Sequence, residues 1–305
     1  MKECDVVIIG GGGSGLTAAL YTSRAKLSTI LFEKLTPGGQ IAVTDLVENY
    51  PGYPEGITGP EIAMKMEEQA KKYGTEVVYE EVKSIVKKDN IFEIQASSGV
   101  YKAKAVILAS GASFRMLNVP NEKQLIGRGV SYCATCDGAF FKGKELVVVG
   151  GGDSALQEGI FLTRFATKVT VIHRRDKLRA SPILQERAKT NPQISFIWDT
   201  VVEKVNGDKK VTGLTLKNLK TNEISEFSAD GLFVFVGHDP NSAFIKNFVQ
   251  LDEHGYVITG EHLTTSVPGV FAAGEIRVGA VKQLVAAAGE GCEAALAAQS
   301  YIENL

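Results

Sequence analysis

The hydrophobic pattern of the chain is built from short unbroken apolar runs that stop at glycine. Val6-Val7-Ile8-Ile9 runs into Gly10, Leu146-Val147-Val148-Val149 into Gly150, Val106-Ile107-Leu108-Ala109 into Ser110-Gly111, and Leu232-Phe233-Val234-Phe235-Val236 into Gly237. Runs without polar alternation predict strands covered on both faces, as in a parallel sheet. After Gly10 and after Gly150 the pattern changes to a helical stretch of about 12 residues, and then to a second apolar run at 28–32 or 168–172. The two segments are copies. Asp5 aligns with Glu145, Gly10 with Gly150, Gly12 with Gly152, Gly15 with Ala155 and Arg24 with Arg164, at a constant offset of 140.

Each copy places a glycine turn between strand and helix. The turns read Gly10-x-Gly12-x-x-Gly15 and Gly150-x-Gly152-x-x-Ala155. The first glycine permits the tight turn, the second lets backbone approach a pyrophosphate, and the third small residue lets helix pack on strand. The helix start then offers free N–H groups and a positive dipole end to the phosphates. One such turn is a weak signal; two, as a repeat in strand–helix context, predict two dinucleotide sites.

The residues after the second strand separate the ligands. In the first copy that strand ends at Glu33, whose carboxylate can accept from ribose hydroxyls and would repel a 2′-phosphate. This suits FAD or NAD. In the second copy the aligned position is His173, followed by Arg174, Arg175 and Arg179. Guanidiniums pair bidentately with a phosphate dianion, so this site suits NADPH; a solvated basic strand end is the alternative.

Between the copies lies Cys133-Ala134-Thr135-Cys136-Asp137-Gly138. Two thiols at this spacing can close a small redox-active disulfide ring. Zinc is the competing reading, but it wants a second ligand pair, and Cys4, Cys292 and the four histidines supply none. Asp137 is a candidate proton donor or acceptor, or a turn residue before Gly138. Cys4 and Cys292 are expected to be buried small side chains.

Composition narrows the classes further. The chain has 305 residues, which suggests two domains, and its 32 glycines come with only nine prolines, so it is no linker or low-complexity chain. The 33 basic and 35 acidic residues leave a net charge of −2, which argues against nucleic-acid binding through bulk charge. The first apolar run is four residues long and follows an acid, unlike a signal peptide. The stretch 281–298 contains Lys282, Glu290 and Glu293, unlike a membrane span. Four cysteines are no disulfide framework, and the expected compartment is the cytoplasm.

Together these motifs resemble low-molecular-weight thioredoxin reductase, a flavoprotein disulfide reductase, along essentially the whole chain. The resemblance implies two Rossmann-like domains of three-layer ββα type. An FAD domain covers 1–114 and 244–305, and an NADPH domain carrying the CxxC, 115–243, is inserted into it. It assigns Gly10, Gly12, Ser14, Gly15, Glu33, Gly39, Gln40, Asn49, Val82, Gly111, Gly274, Glu275, Lys282 and Gln283 to FAD, with the segment from Glu48 to Gly52 lying against the flavin. It assigns Gly150, Gly152, Asp153, Ser154, Ala155, His173, Arg174, Arg175 and Arg179 to NADPH. Ser110, Glu275 and Lys282 depart from the family's usual threonine, aspartate and arginine.

The implied activity is electron transfer from NADPH through FAD and a Cys133–Cys136 disulfide to the disulfide of thioredoxin or a similar small dithiol protein. A glutaredoxin-like or peroxiredoxin-linked partner, or a non-catalytic FAD/NADPH redox sensor, are the alternatives. Cys136 would face the flavin, Cys133 attack the partner and Asp137 manage the proton. A homodimer is implied, as is a swing of the inserted domain on connections near 112–118 and 240–246.

Overall fold

The apolar run at 6–9 forms the end of a strand in the computed structural model, which describes residues 2–43, 47 and 49–305, with backbone only at Val43, Thr135 and Cys136. The chain folds as two units, Met1–Ser113 with Asp239–Leu305, and Phe114–His238.

In the first unit, β1 (Lys2–Ile9), α1 (Gly13–Arg24) and β2 (Thr29–Phe32) form a strand–turn–helix–strand. They are followed by α2 (Gly59–Lys72), β3 (Glu76–Val78), β4 (Val82–Lys88), β5 (Ile91–Ala96) and β6 (Val100–Leu108). The sheet order is β3-β2-β1-β6-β5-β4. β1 and β2 pair in parallel, Val6 opposite Thr29 and Ile9 opposite Phe32. β1 and β6 do likewise, Ile9 opposite Leu108, so both strands end beside the same turn. β1 alternates between two cores. Val7 and Ile9 pack with Phe32, Phe92 and Ile94, while Val6 and Ile8 pack with Leu16, Ala18, Ala294 and Ala298.

The chain leaves this unit through β7 (Ala112–Phe114) and builds the second from β8 (Val130–Ser131), α3 (Ala134–Asp137), β9 (Glu145–Val149), α4 (Asp153–Leu162), β10 (Lys168–Ile172), α5 (Pro182–Thr190) and β11 (Ile194–Ile197). The meander β12 (Thr200–Asn206), β13 (Gly213–Asn218) and β14 (Ile224–Ser228) follows, and β15 (Gly231–Val234) completes the unit. One sheet is parallel, ordered β11-β10-β9-β15-β8, and the meander is a separate three-stranded antiparallel sheet. Val147 and Val149 face the meander side with Val202, Val205 and Leu214. Leu146 and Val148 face the helices with Leu156, Leu162 and Ala188. That is three layers, sheet on sheet on helices, repeating the period of two along β9.

The chain returns through β16 (His238–Pro240), which pairs with β7, and then adds β17 (Val270–Ala272) and α6 (Leu284–Glu303) to the first unit. β17 pairs with the C-terminal half of β6, Val270 opposite Val106, on the edge whose N-terminal half pairs with β5. The return crossing falls at 238/239, earlier than residue 244. Asn241 explains it: its N–H donates to Gly111 O at 3.0 Å and its Nδ2 to Ser110 O at 2.8 Å, while Ser113 Oγ lies 2.8 Å from its Oδ1. Among the described residues no helix is long and apolar enough to cross a membrane.

The approach of α1 to β1 requires glycine. Gly10 has φ +109°, and a Cβ on Gly15 would lie 1.8 Å from Gly10 O. In the second unit Gly150 opens to φ +152°, and Ala155 fits at the matching place, fully buried. Gly15→Ala is therefore expected to destabilise the first unit by about 2–4 kcal/mol. Ala155→Gly should cost only about 1 kcal/mol, the intrinsic helix penalty. Urea unfolding of both variants, followed by far-UV circular dichroism, checks the contrast.

Candidate functional site

The first glycine turn is assembled from four directions. Gly10 N–H donates to Phe32 O at 2.8 Å and Gly38 N–H to Gly11 O at 2.6 Å. Glu33, at the end of β2, takes Gly11 N–H on Oε2 at 2.8 Å and Leu35 N–H on Oε1 at 2.9 Å. Each carboxylate oxygen keeps a second lone pair for a ribose hydroxyl. Gly12 caps α1 with no side-chain oxygen, and a Cβ there would meet nothing within 4 Å. The first-turn N–H groups thus have room for an anion. Gly39, at φ +54°, brings a second glycine against Gly12.

Ser14 is buried, and its hydroxyl donates to Ala273 O at 3.3 Å. It touches Gly274, where a Cβ would lie 2.5 Å from Ser14 Oγ. Gly274 N–H in turn donates to Glu290 Oε2 at 2.6 Å. Glu290 on α6 also pairs with Arg277, whose Nε donates to Oε2 at 2.9 Å and whose Nη2 reaches Oε1. This clamp holds the turn after β17 against the start of α1. No motif marked Arg277 or Glu290; their pairing depends on a crossover between β17 and α6.

Beyond the turn the predicted residues form two further sets. Gln40 Nε2 donates to Ala112 O at 2.8 Å and to Glu275 Oε2 at 3.3 Å, joining the segments around Gly39, Gly111 and Gly274. Burial pushes the Glu275 carboxyl above the usual range, opposed by the Lys282 ammonium and the Gln40 hydrogen bond. Asn49 Nδ2 donates to Gln283 Oε1 at 2.9 Å. Gly111 has φ +63° with open space where a Cβ would stand. Val82 opens β4 with its side chain in the core rather than toward these groups. Glu48 lies outside the described residues. The free helix start, the carboxylate at the strand end and the glycine-lined approach fit an adenine dinucleotide with a free ribose.

In the second unit Gly152 caps α4 without a side-chain oxygen and likewise faces open space. Arg179 N–H and Ala180 N–H both donate to Gly151 O, at 2.7 and 3.1 Å, and Asp153 Oδ1 accepts from Ser181 N–H at 2.5 Å. The arginine loop is therefore fastened to the glycine turn, with the exposed Ser154 in the same helical turn as Asp153. Arg174, Arg175 and Arg179 line a cavity of about 460 Å³. This donor set fits a phosphorylated ribose.

His173 lies apart from that cavity. It is only 6% exposed, and a Cβ on Gly151 would lie 2.4 Å from its ring, so the imidazole is a spacer beneath the turn. Burial lowers its pKa, with Arg179, Arg174 and Arg175 lowering it further against a hydrogen bond to the Lys177 backbone. Among the described residues its Nε2 is buried without a hydrogen-bond partner.

Cys133 is disulfide-bonded, whereas Cys4 and Cys292 are free thiols. Both free thiols are half-buried rather than fully buried. Burial, then the neighbouring Asp5, pushes the Cys4 thiol up to about 12. The side chain of Cys136 lies outside the described residues. Cys133 N–H donates to Ser131 Oγ at 3.1 Å, and Asp137 N–H to Cys133 O at 3.2 Å. Tyr132 donates to Glu122 Oε1 at 2.7 Å, and that fully buried carboxylate also takes the N–H groups of Leu117, Asn118 and Val119. Gly138 packs against Leu162 and Phe165, so the segment after the cysteines rests on the C-terminal end of α4. Beside it Phe140 is 82% exposed, the most exposed large apolar side chain among the described residues. No periodic pattern marks Phe140, since it lies in a short 3₁₀ turn.

Comparison with known proteins agrees with this assembly. The chain matches the pyridine nucleotide-disulphide oxidoreductase family over residues 4–291. It is 52% identical to the thioredoxin reductase of Bacillus subtilis, covering all of this chain and 96% of that one. It is 49% identical to that of Listeria monocytogenes, covering all of this chain and 95% of that one. Its structure superposes on the crystal structure of Lactococcus lactis thioredoxin reductase with a TM-score of 0.84, at 45% identity, covering 99% of this chain and 100% of the other. The family uses FAD and NADPH, which the two glycine turns fit. With a disulfide at Cys133 in the second of two dinucleotide-type folds, and full-length similarity in sequence and structure, the chain belongs to the pyridine nucleotide-disulphide oxidoreductase family and, within it, to the thioredoxin reductases.

Proposed function

We propose that the chain carries reducing equivalents from NADPH to the disulfide of thioredoxin through the Cys133 disulfide, with Cys136 as its partner. The observation that carries this reading is that the segment after Cys133 and the loop bearing the arginines are fastened to opposite ends of one helix, α4. The N-terminus of α4 holds the glycine turn, and its C-terminal end supports the segment after the cysteines. FAD, when bound in the first unit, supplies hydride acceptance from NADPH and two-electron delivery to a disulfide.

The chain's own groups do the rest. Gly10, Gly12 and Gly15 shape the flavin's pyrophosphate turn, Glu33 takes the ribose hydroxyls, and Gln40, Glu275, Lys282, Asn49 and Gln283 surround the remainder. Arg174, Arg175 and Arg179 bind the 2′-phosphate. Once the disulfide is reduced, the Cys133 thiolate attacks the thioredoxin disulfide and forms a mixed disulfide. Cys136 then attacks Cys133, releasing the reduced partner, and Asp137 takes and returns the proton. Phe140, exposed beside the cysteines, is an apolar anchor for the partner. Since the disulfide and the NADPH cavity ride on one unit and the flavin site on the other, the inserted unit presents each in turn by pivoting at its two crossings. The free thiols of Cys4 and Cys292 suit a reducing compartment, the cytoplasm, and the reading includes a homodimer, checked by light scattering of the holoprotein.

Four outcomes test the reading. Cys136→Ser should leave reduction of bound flavin by NADPH intact and lower thioredoxin turnover on the order of 10³-fold or more. Phe140→Ala should raise KM for thioredoxin roughly tenfold, with kcat and the reduction of a small aromatic disulfide little changed. Glu290→Gln, which weakens the clamp on Gly274 and Arg277, should cost about 1–3 kcal/mol and speed flavin loss on gel filtration. An engineered disulfide locking the two units should preserve one half-reaction and abolish turnover; full turnover in the locked protein rules out the pivot.

A further inference from the structure

Lys220 lines the arginine-lined cavity yet belongs to no motif. Lys220 sits at the tip of the β13–β14 hairpin, far along the chain from Arg175, yet both line the same 460 Å³ cavity. The tip is held rigidly. Asn218 Oδ1 accepts from Lys220 N–H at 2.9 Å and from Thr221 N–H at 3.0 Å. Asn222, at φ +59°, closes the turn by donating to Asn218 O at 2.8 Å. Backbone bonds also fasten the tip to the arginine loop. Leu219 N–H donates to Asp199 O at 2.6 Å, and Asp199 N–H, in a residue at φ +52°, to Arg175 O at 3.4 Å.

The Lys220 ammonium bridges two carboxylates, at 2.8 Å from Asp199 Oδ2 and 3.0 Å from Asp176 Oδ2. Both carboxylates line the cavity. This is an awkward composition for an anion site, because two acids beside a phosphate dianion repel it. Lys220 resolves the conflict. Two of its three N–H groups engage the acids, and the third remains for a ligand. The same bridge also fixes a long side chain that would otherwise lose rotamer freedom on binding.

We propose that Lys220 is a specificity-determining residue of the NADPH site: held by Asp176 and Asp199, it screens both carboxylates and donates its third N–H to the ribose 2′-phosphate. The discrimination between NADPH and NADH then rests on the hairpin as well as on the arginines. This deepens the reading that the cavity takes the 2′-phosphate, and it depends on that reading. Its consequence is asymmetric. A nucleotide with a 2′-phosphate loses an attraction and meets two unscreened acids when Lys220 is removed. A nucleotide without the phosphate brings no charge to that place.

Isothermal titration of the full-length, FAD-loaded protein tests it, with 2′,5′-ADP and 5′-AMP as probes and Lys220→Met, Lys220→Arg and Arg175→Met as variants. Lys220→Met should weaken 2′,5′-ADP roughly tenfold and leave 5′-AMP unchanged, since a charge-assisted bond to phosphate is being removed. Lys220→Arg should bind within about twofold of the parent, because the charge is kept. Adding Asp176→Asn to Lys220→Met should recover part of the loss. If Lys220→Met binds both probes like the parent while Arg175→Met fails on 2′,5′-ADP, the hairpin has no part in the site and the phosphate reading stands. If Lys220→Met weakens both probes equally, the lysine holds the adenosine and the proposal is wrong. If neither variant changes 2′,5′-ADP binding, the phosphate reading falls and takes the proposal with it.

Discussion

Helices α1 and α4 each begin at a glycine that can offer no capping oxygen. Gly12 and Gly152 stand in open space, while their neighbours are packed as closely as backbone atoms allow. A helix start with unsatisfied N–H groups and a positive dipole end needs a partner, and water or a side chain normally supplies it. Here the close packing of Gly10 on Ala109, and of Gly15 on Gly10, brings the strand ends right up to the helix start. The rest of each unit follows from keeping that start clear. Gly291 of α6 lets its helix lie directly on Ser14, where a Cβ would come within 2.2 Å of Ser14 O. The Glu290–Arg277 clamp then holds Gly274 at the same point.

One backbone device thus serves two ligands, and the difference lies in what surrounds it. In the first unit Glu33 turns inward and binds the backbone of its own turn, which fixes an acceptor beside the ribose position. In the second unit the matching residue, His173, is buried, and burial lowers its pKa. The charge is displaced onto Arg174, Arg175 and Arg179, in a loop whose backbone is fastened to Gly151. The sequence places a carboxylate at one strand end and guanidiniums at the other, and the fold keeps those charges in separate units.

Much of this was legible from residues alone. Close-range features carry their own signature, because a glycine spacing, a strand-end charge and a CxxC are local in the chain. The β13–β14 hairpin was not legible as a contributor to the arginine-lined cavity, since Lys220 reaches that cavity only through hairpin geometry. The Arg277–Glu290 clamp also escaped, because its charges are separated by a turn and most of a helical approach. Phe140 gave no periodic pattern in its short turn. His173 was grouped with the arginines by adjacency, but the side chain after a strand can point beneath the turn as easily as beyond it. The return crossing carries no mark in the sequence, since Asn241, three residues past His238, is not apolar, while its hydrogen bonds commit it to the first unit.

Under the proposed function, one unit holds the flavin and the other holds both the hydride donor and the disulfide. Two electrons would then travel one way, from the nucleotide through the flavin to the disulfide. The direct measurement is an anaerobic titration of the holoprotein, following flavin absorbance, first with NADPH and then with oxidised thioredoxin. NADPH is expected to bleach the flavin far more readily than NADH, and oxidised thioredoxin to restore the colour with two thiols formed per thioredoxin disulfide. Flavin that NADPH leaves oxidised, or that is bleached and then unaffected by thioredoxin, would contradict it.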